Sequence, residues 1–143
     1  MKKFSGLMIF LLFLVPALFA QEHYTEGPVW RVSLIRVKPA HMDDYLTTLQ
    51  QNLKPFYEEG KRSGMIVDYK IFLKETKENP QDWDICLALE YKNFAAMDGL
   101  SAKAEALRDK VLGGKQAAQQ AAEKREEIRE VISSTLLHEI FLK

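Results

Sequence analysis

Four stretches of the chain alternate apolar and polar side chains in the way that a half-buried β-strand requires. They are residues 29–37, 65–74, 83–91 and 136–142. The third, WDICLALEY, carries Ile85, Leu87 and Leu89 on one face, which predicts contact with a core. Its other face has the small residues Cys86 and Ala88 in the middle and acids at the ends. One face of the predicted sheet is therefore apolar, and the other needs a separate explanation.

Two further stretches show the three-and-four spacing of amphipathic helices. The first covers residues 40–59, and Pro55 inside it predicts a kink. The second begins at Ser101, breaks at Gly113 and resumes over residues 115–132 with strong helix formers. The resulting order is strand, helix, strand, strand, helix, strand. It predicts an α+β fold of the ferredoxin-like βαββαβ type, a four-stranded antiparallel sheet with its helices on one face.

Alternation along the strands predicts which side chains point toward the helices. In the first strand, the odd-numbered residues include the charged Arg31. We therefore expect the even-numbered residues Trp30, Val32 and Leu34 to point toward the helices. It also takes Val67, Tyr69, Ile71, Leu73, Ile85, Leu87 and Leu89. The second face is left with Val29, Arg31, Ser33, Ile35, Val37, Asp68, Lys70, Asp84, Cys86, Ala88 and Glu90. The last strand is half apolar on both sides, so its facing stays open.

This second face is too apolar for a wetted surface and too polar for a dry core. Burial of three or four aliphatic side chains is worth roughly 5 kcal/mol. A second copy of the same sheet would supply that burial and leave space between small residues. The sequence therefore predicts a homodimer whose two sheets face each other around a partly polar cavity.

Four segments resemble those of the dimeric α/β-barrel superfamily. They are VKPAHMDDYL, KPFYEEGKRSG, DWDICLALEYKNFAAMDG and the terminal LLHEIFLK. Within that superfamily the chain resembles in particular a group of exported bacterial proteins without an assigned activity. The resemblance implies a dimeric barrel of ferredoxin-like subunits. Relatives include cofactor-free monooxygenases, haem-degrading enzymes, chlorite-dismutase-like haem proteins and stress-response modules, so fold does not transfer chemistry here.

The predicted cavity provides the candidate site. Its candidate lining residues are Arg31, Ser33, Asp68, Lys70, Cys86 and His138. In a cofactor-free oxygenase of this fold, polar groups manage the proton of an electron-rich phenol or quinol held in a shielded pocket. Asp68 or His138 is the candidate base. The alternative is that Asp68 and Lys70 form an edge-strand pair that discourages aggregation, and that His138 is a hydrogen-bonded structural residue.

The sequence predicts neither a cofactor nor a metal. In the superfamily's haem proteins the iron ligand is a histidine of the second helical region, and residues 93–132 contain none. His41 shares a helix face with Asp44, but a metal site needs three or four converging ligands. Cys86 would need a nearby cation or histidine to become a nucleophile. As a small apolar side chain it also fits a plain strand position.

The first twenty residues read as a signal peptide. A basic start at Lys2 and Lys3 precedes an apolar run and a small-residue exit at Ala20. The apolar run is short for a bilayer span, which needs about 20 residues, so we expect cleavage and no stable membrane anchor. Residues 21–143 then form one domain, exported to the periplasm or the extracellular space. The single cysteine excludes an internal disulfide.

The charge balance argues against a polyanionic partner. The whole chain has 20 basic and 20 acidic residues, and removal of Lys2 and Lys3 leaves a net charge of −2. Such a chain has no general attraction for phosphate backbones, so nucleic-acid binding is not expected. Two functions remain open. One is a small-molecule binding or structural module, with a small apolar or aromatic ligand as its possible partner. The other is a cofactor-independent monooxygenase-like enzyme acting on a small aromatic substrate.

Overall fold

The computed structural model describes residues 23–143, and the predicted signal peptide lies outside them. A four-stranded antiparallel sheet has the strand order β2-β3-β1-β4. Its strands are β1 (Tyr24–Val37), β2 (Asp68–Leu73), β3 (Ile85–Tyr91) and β4 (Arg129–Leu142). The predicted fold class is confirmed, because the helices lie between the strands in the predicted order.

The helices form two regions that cover one face of the sheet, called here the helix face. They are α1 (Met42–Thr48), a π-helical turn (Leu49–Leu53), α2 (Lys54–Arg62), a 3₁₀ turn (Phe94–Met97), α3 (Leu100–Leu112) and α4 (Lys115–Ile128). No helix in residues 23–143 is both long and apolar enough to cross a membrane. The sheet face without helices is called the open face.

The irregularity expected at Pro55 is a widened turn directly in front of it. Proline has no N–H to donate to the carbonyl four residues earlier, and the π-helical turn Leu49–Leu53 ends just before the first residue of α2. The helix then continues through Pro55 to Arg62. The chain therefore keeps one helical region here, with its hydrogen-bond pattern shifted.

The second helical region ends earlier than the sequence pattern indicates. Helix through residue 132 was expected, but β4 begins at Arg129. Arg129, Glu130 and Val131 pair with β1, and Arg36 donates a 2.9 Å hydrogen bond to Glu130. Pairing with a long neighbouring strand outweighs local helix propensity at this point.

The facing predicted for β1 is wrong. Val29, Ile35 and Val37 are buried at 0%, 1% and 8% exposure and belong to the core under the helices. Trp30 and Leu34 consequently lie on the open face with the alternate residues of β1. The odd-numbered residues of β1 include Arg31. They can lie on the helix face because the centre of that face borders a cleft and is not a dry core. For β2 and β3 the predicted facing is confirmed, since Ile71 and Leu87 pair on the helix side.

The sequence leaves open which face of β4 points toward the helices. The pairing of β4 with β1 determines it. Val29 pairs with His138, Arg31 with Leu136, and Ser33 with Ser134. Directly paired residues share a face of an antiparallel sheet, so the even-numbered residues from 134 to 138 lie on the helix face. The core is completed by one row of helical side chains, namely Tyr45, Leu49, Leu53 and Tyr57.

Candidate functional site

A cleft lies between the helix face of the sheet and helices α2, α3 and α4. It has two lobes of about 340 Å³ and about 500 Å³. Both lobes are lined by Arg31, Phe56, Tyr57 and Arg108, so these four side chains stand where the lobes meet. The cleft exists because α3 buries no side chain against the sheet and α4 buries only Ala118.

The smaller lobe, called here the arginine lobe, collects guanidinium groups from four different elements. They are Arg31 of β1, Arg108 of α3, Arg125 of α4 and Arg129 of β4. Ile35, Leu87, Ser33 and Ser134 of the sheet also line it. The lobe therefore combines cationic, hydroxyl and apolar groups.

The larger lobe, called here the apolar lobe, is walled mainly by hydrophobic side chains. Its members include Met65, Ile66, Leu89, Tyr91, Met97 and Leu100. Glu105 is the one carboxylate among the described residues that line either lobe. No histidine among those described residues lines either of them.

Ion pairing in the arginine lobe is incomplete. Arg129 donates to Glu126 at 2.6 Å and to the hydroxyl of Tyr45 at 3.3 Å. Within residues 23–143, no carboxylate oxygen lies within 4.0 Å of the guanidinium nitrogens of Arg31, Arg108 or Arg125. The Nε atoms of Arg125 and Arg129 are buried and lack a hydrogen-bond partner among the described residues. Burial, and then the charge of Arg129, lower the pKa of Arg125.

Aromatic rings lie against three of these cations. The guanidinium of Arg31 lies 6.0 Å from the ring centroid of Tyr91, that of Arg108 lies 5.8 Å from that of Phe56, and that of Arg129 lies 6.0 Å from that of Tyr45. Such cation–π contacts orient a guanidinium without neutralising it. Burial raises the pKa of both Tyr57 and Tyr91. Their hydroxyl groups are therefore protonated at neutral pH and can donate hydrogen bonds to a ligand.

The structure separates the predicted pocket residues into different places. Arg31 and Ser33 line the arginine lobe, where Ser33 Oγ lies 3.0 Å from Ser134 Oγ. His138 is on the same sheet face but lines neither lobe. Its Nε2 is 3.2 Å from the carbonyl of Gly27, and its ring stacks edge-on against Phe94.

The other three predicted residues lie away from the cleft. Asp68 begins the edge strand β2 and forms a 2.8 Å ion pair with Lys61, which lowers the pKa of its carboxyl group. Lys70 extends to within 5.2 Å of the Trp30 ring centroid on the open face. Cys86 also lies on the open face, and burial raises the pKa of its thiol. A raised pKa disfavours the thiolate that a nucleophile requires.

The described residues contain no group of three or more His, Cys, Asp or Glu side chains that could hold a metal ion. The cleft instead offers guanidinium, hydroxyl and aromatic groups, together with the carboxylate of Glu105.

Sequence reasoning missed Arg108, Arg125 and Arg129. A signal was present in α4, where Ala118, Ala122 and Arg125 follow the four-three spacing of one helical stripe. Two alanines on an inward face leave room beneath the helix, and Arg125 on the same face lines that room. Interpreting these alanines as a gap between the helix and the sheet, instead of as a close packing contact, would have predicted the lobe.

The open face carries its own apolar patch. It is formed by Val32, Leu34, Phe72, Cys86, Ala88 and Leu137. Phe72 and Leu137 are 49% and 51% exposed in the isolated chain. Beside the patch, the indole of Trp30 donates a 2.9 Å hydrogen bond to Glu139.

Comparisons with solved structures support the fold. The structure of HapK from Hahella chejuensis is 11% identical, with a TM-score of 0.53 over 78% of this chain and 91% of that one. A dimeric ferredoxin-like protein from an uncultured marine organism is 12% identical, with a TM-score of 0.54 over 82% and 90%. The chain has a ferredoxin-like fold. A nipsnap family protein from Agrobacterium tumefaciens is likewise 12% identical, with a TM-score of 0.54 over 85% and 94%.

No protein-family model matches the chain, and no curated protein matches it. At identities of 11% to 12%, the likeness to the solved structures concerns the arrangement of helices and strands. Function has to be argued from the cleft.

Proposed function

We propose that this chain is an exported, homodimeric small-molecule binding protein whose ligand lies in the cleft between the sheet and helices α2 to α4. The observation that carries the proposal is the cleft itself. Pockets that enclose small ligands typically measure about 300–1,000 Å³ and combine apolar walls with a few polar groups. Lobes of about 340 Å³ and 500 Å³ that meet at Arg31, Phe56, Tyr57 and Arg108 fit this description.

Binding is favoured over the oxygenase alternative by the placement of the titratable groups. The two candidate bases, Asp68 and His138, line neither lobe, and Glu105, the one carboxylate of the described lining, is exposed to solvent. Tyr57 and Tyr91 have raised pKa values because they are buried, so they are poor bases at neutral pH.

Binding is tested with N-phenyl-1-naphthylamine, an uncharged probe that fluoresces in apolar surroundings. The variant Ala104→Trp fills the apolar lobe, which Ala104 lines. Its matched control is Ala102→Trp, two residues away on the exposed side of α3. We expect saturable binding that Ala104→Trp removes and Ala102→Trp retains. Equal binding by the two variants, or no saturable binding, would contradict the proposal.

The homodimer rests on the open face. The patch is contiguous across the four strands and leaves Phe72 and Leu137 about half exposed in the isolated chain, and large contiguous apolar patches mark interaction surfaces. A solved structure with the same fold is described as a dimeric ferredoxin-like protein. A second copy of this sheet, laid against the first, would bury the patch on both subunits and leave the clefts on the outer sides of the dimer.

The assembly is tested with two adjacent substitutions on β2. Phe72 lies on the open face and Ile71 on the helix face, and their exposures of 49% and 39% are similar. We expect light scattering at micromolar concentration to report dimers for the wild-type chain and Ile71→Glu, and monomers for Phe72→Glu. A monomeric wild-type chain would refute this part of the proposal.

Export rests on the pattern of residues 1–20. Amino-terminal sequencing of the protein from its own host tests it. A chain that starts at Gln21 supports export with cleavage, and a chain that starts at Met1 contradicts cleavage.

A further inference from the structure

We infer that the ligand of the cleft is an organic acid with an apolar body, held by its carboxylate, sulfonate or phosphate group in the arginine lobe. This inference rests on the proposed function, because it names the chemical class of the molecule that the same cleft binds.

The first step concerns convergence. Arg31, Arg108, Arg125 and Arg129 come from β1, α3, α4 and β4, yet all four line one lobe. Charges on a single helix often share a solvated face without any function. Four cations brought together from four elements have no such local explanation, since the fold itself places them side by side.

The second step concerns charge balance. Outside the lobe, Arg36 is paired with Glu130 and Arg62 with Glu59. Inside the lobe, Arg31, Arg108 and Arg125 have no carboxylate partner among residues 23–143. Three arginines that lack a carboxylate partner among the described residues therefore line the same lobe.

The third step concerns the cost of this arrangement. A guanidinium taken partly out of water loses hydration that only a partner can replace. Arg125 and Arg129 each have a buried Nε without a described hydrogen-bond partner, and their charges repel each other. An anionic group entering the lobe would accept hydrogen bonds from these donors and neutralise the repulsion. Guanidinium–carboxylate and guanidinium–phosphate pairs are among the stronger hydrogen-bonded contacts in proteins.

The fourth step concerns the rest of the ligand. The arginine lobe adjoins the apolar lobe at Phe56 and Tyr57, which line both. Leu89, Met97 and Leu100 in the larger lobe suit an aliphatic or aromatic body. Glu105 also lines this lobe and would repel a second acidic group there. The ligand is therefore acidic at one end and apolar at the other.

The experiment compares two probes that share one ring system. 8-Anilino-1-naphthalenesulfonate carries a sulfonate, and N-phenyl-1-naphthylamine lacks it. A hydrogen-bonded charged contact corresponds to about tenfold or more in affinity. We expect the sulfonate probe to bind the wild-type chain at least about tenfold more tightly than the neutral probe. Arg108→Gln and Arg125→Gln should each remove most of that preference, because each weakens binding of the sulfonate probe much more than binding of the neutral probe.

Two further variants make the result specific. Arg62→Gln changes an exposed arginine that lies outside the lobe and is paired with Glu59. We expect it to keep the preference for the sulfonate. Arg125→Lys retains the charge but lacks the planar fork, so it should retain part of the preference. Thermal unfolding of every variant shows that a loss of preference is not a loss of folding.

The possible failures are distinguishable. If both probes bind with equal affinity to the wild-type chain and to the arginine variants, the cleft binds small molecules but the acidic ligand is refuted. If neither probe binds, the proposed function fails and the inference falls with it. If Arg62→Gln weakens sulfonate binding as much as Arg125→Gln does, the preference reflects overall charge, and the lobe is refuted as its source.

Discussion

The backbone N–H of Val37 donates a 2.8 Å hydrogen bond to Oδ2 of Asp84. The other carboxylate oxygen of Asp84 forms a 2.5 Å ion pair with Lys77, and the residue is 7% exposed. The last residue of β1 is therefore tied to the residue that precedes β3. Asp84 has a structural role at this end of the sheet and lines neither lobe of the cleft.

Substitution of Asp84 should destabilise the fold. In Asp84→Ala the buried N–H of Val37 loses its partner, which costs about 1–3 kcal/mol in the free energy of unfolding. Urea unfolding of the variant measures this cost. Asp98→Ala is the control, because Asp98 is exposed and should change stability by less than about 0.5 kcal/mol. Equal effects of the two substitutions would show that the bond to Val37 contributes little.

Asp82 should make stability depend on pH in the acid range. The hydrogen bond from Lys74 and the backbone N–H of Glu78 lower the pKa of Asp82 from 3.8 to about 2. Because the folded state holds the proton less tightly, this contribution is present above pH 3.8 and is lost as the pH falls from 3.8 to 2. Melting temperatures from pH 6 down to 2 should fall less steeply for Asp82→Asn than for the wild-type chain. Identical profiles would contradict the assignment.

Arg125 should lower the stability of the unliganded protein. Its Nε is buried without a described partner, and Arg129 lies close enough to lower its pKa. Arg125→Met keeps much of the side-chain volume and removes the charge, so we expect the free energy of unfolding to rise by about 1 kcal/mol. Arg62→Met is the control, because the Nε and Nη2 atoms of Arg62 both donate to Glu59 and its loss should not stabilise. A destabilised Arg125→Met would mean that this arginine is part of the structural core.

Gly113 should be required for its backbone conformation alone. It ends α3 with φ of +84°, and a Cβ atom added there would meet nothing within 4 Å. Gly113→Ala should therefore cost about 1 kcal/mol through strain in the left-handed region. Gly113→Asn should cost less, because asparagine adopts this conformation more readily. Denaturant unfolding compares the three chains, and equal losses for Ala and Asn would point to a cause other than strain.

The order of elements could be predicted because periodicity reports burial directly. Ile85, Leu87 and Leu89 alternate without interruption, and their strand was assigned to the correct face. On β1 the same rule gave the wrong face, since Arg31 was assumed to exclude its set from the helix side. The structure places a cleft opposite Arg31. The buried apolar residues of the same set lie on either side of Arg31 along β1, with Val29 before it and Ile35 and Val37 after it.

The candidate site was harder to predict because it depends on gaps between elements. Arg31 and Ser33 were selected from the sequence and line the arginine lobe. Both lie on the helix face, so they line a cleft beneath the helices and not a space between the open faces of two sheets. The partners from α3 and α4 were missed, since a charged residue in a helix normally faces water. Only the three-dimensional separation of these helices from the sheet reveals that Arg108 and Arg125 face inward.

The π-helical turn at Leu49–Leu53 contains one residue more than a regular α-helical turn would. Loss of a single codon within this turn should therefore restore regular winding and leave Phe56 and Tyr57 directed at the sheet. One residue of a regular α-helix corresponds to a rotation of about 100° about the helix axis. The same loss within α1 would therefore turn the side chains that both lobes share away from the cleft. The π-helical turn is thus the place where this helical region tolerates a change in chain length without a change in what the cleft accepts.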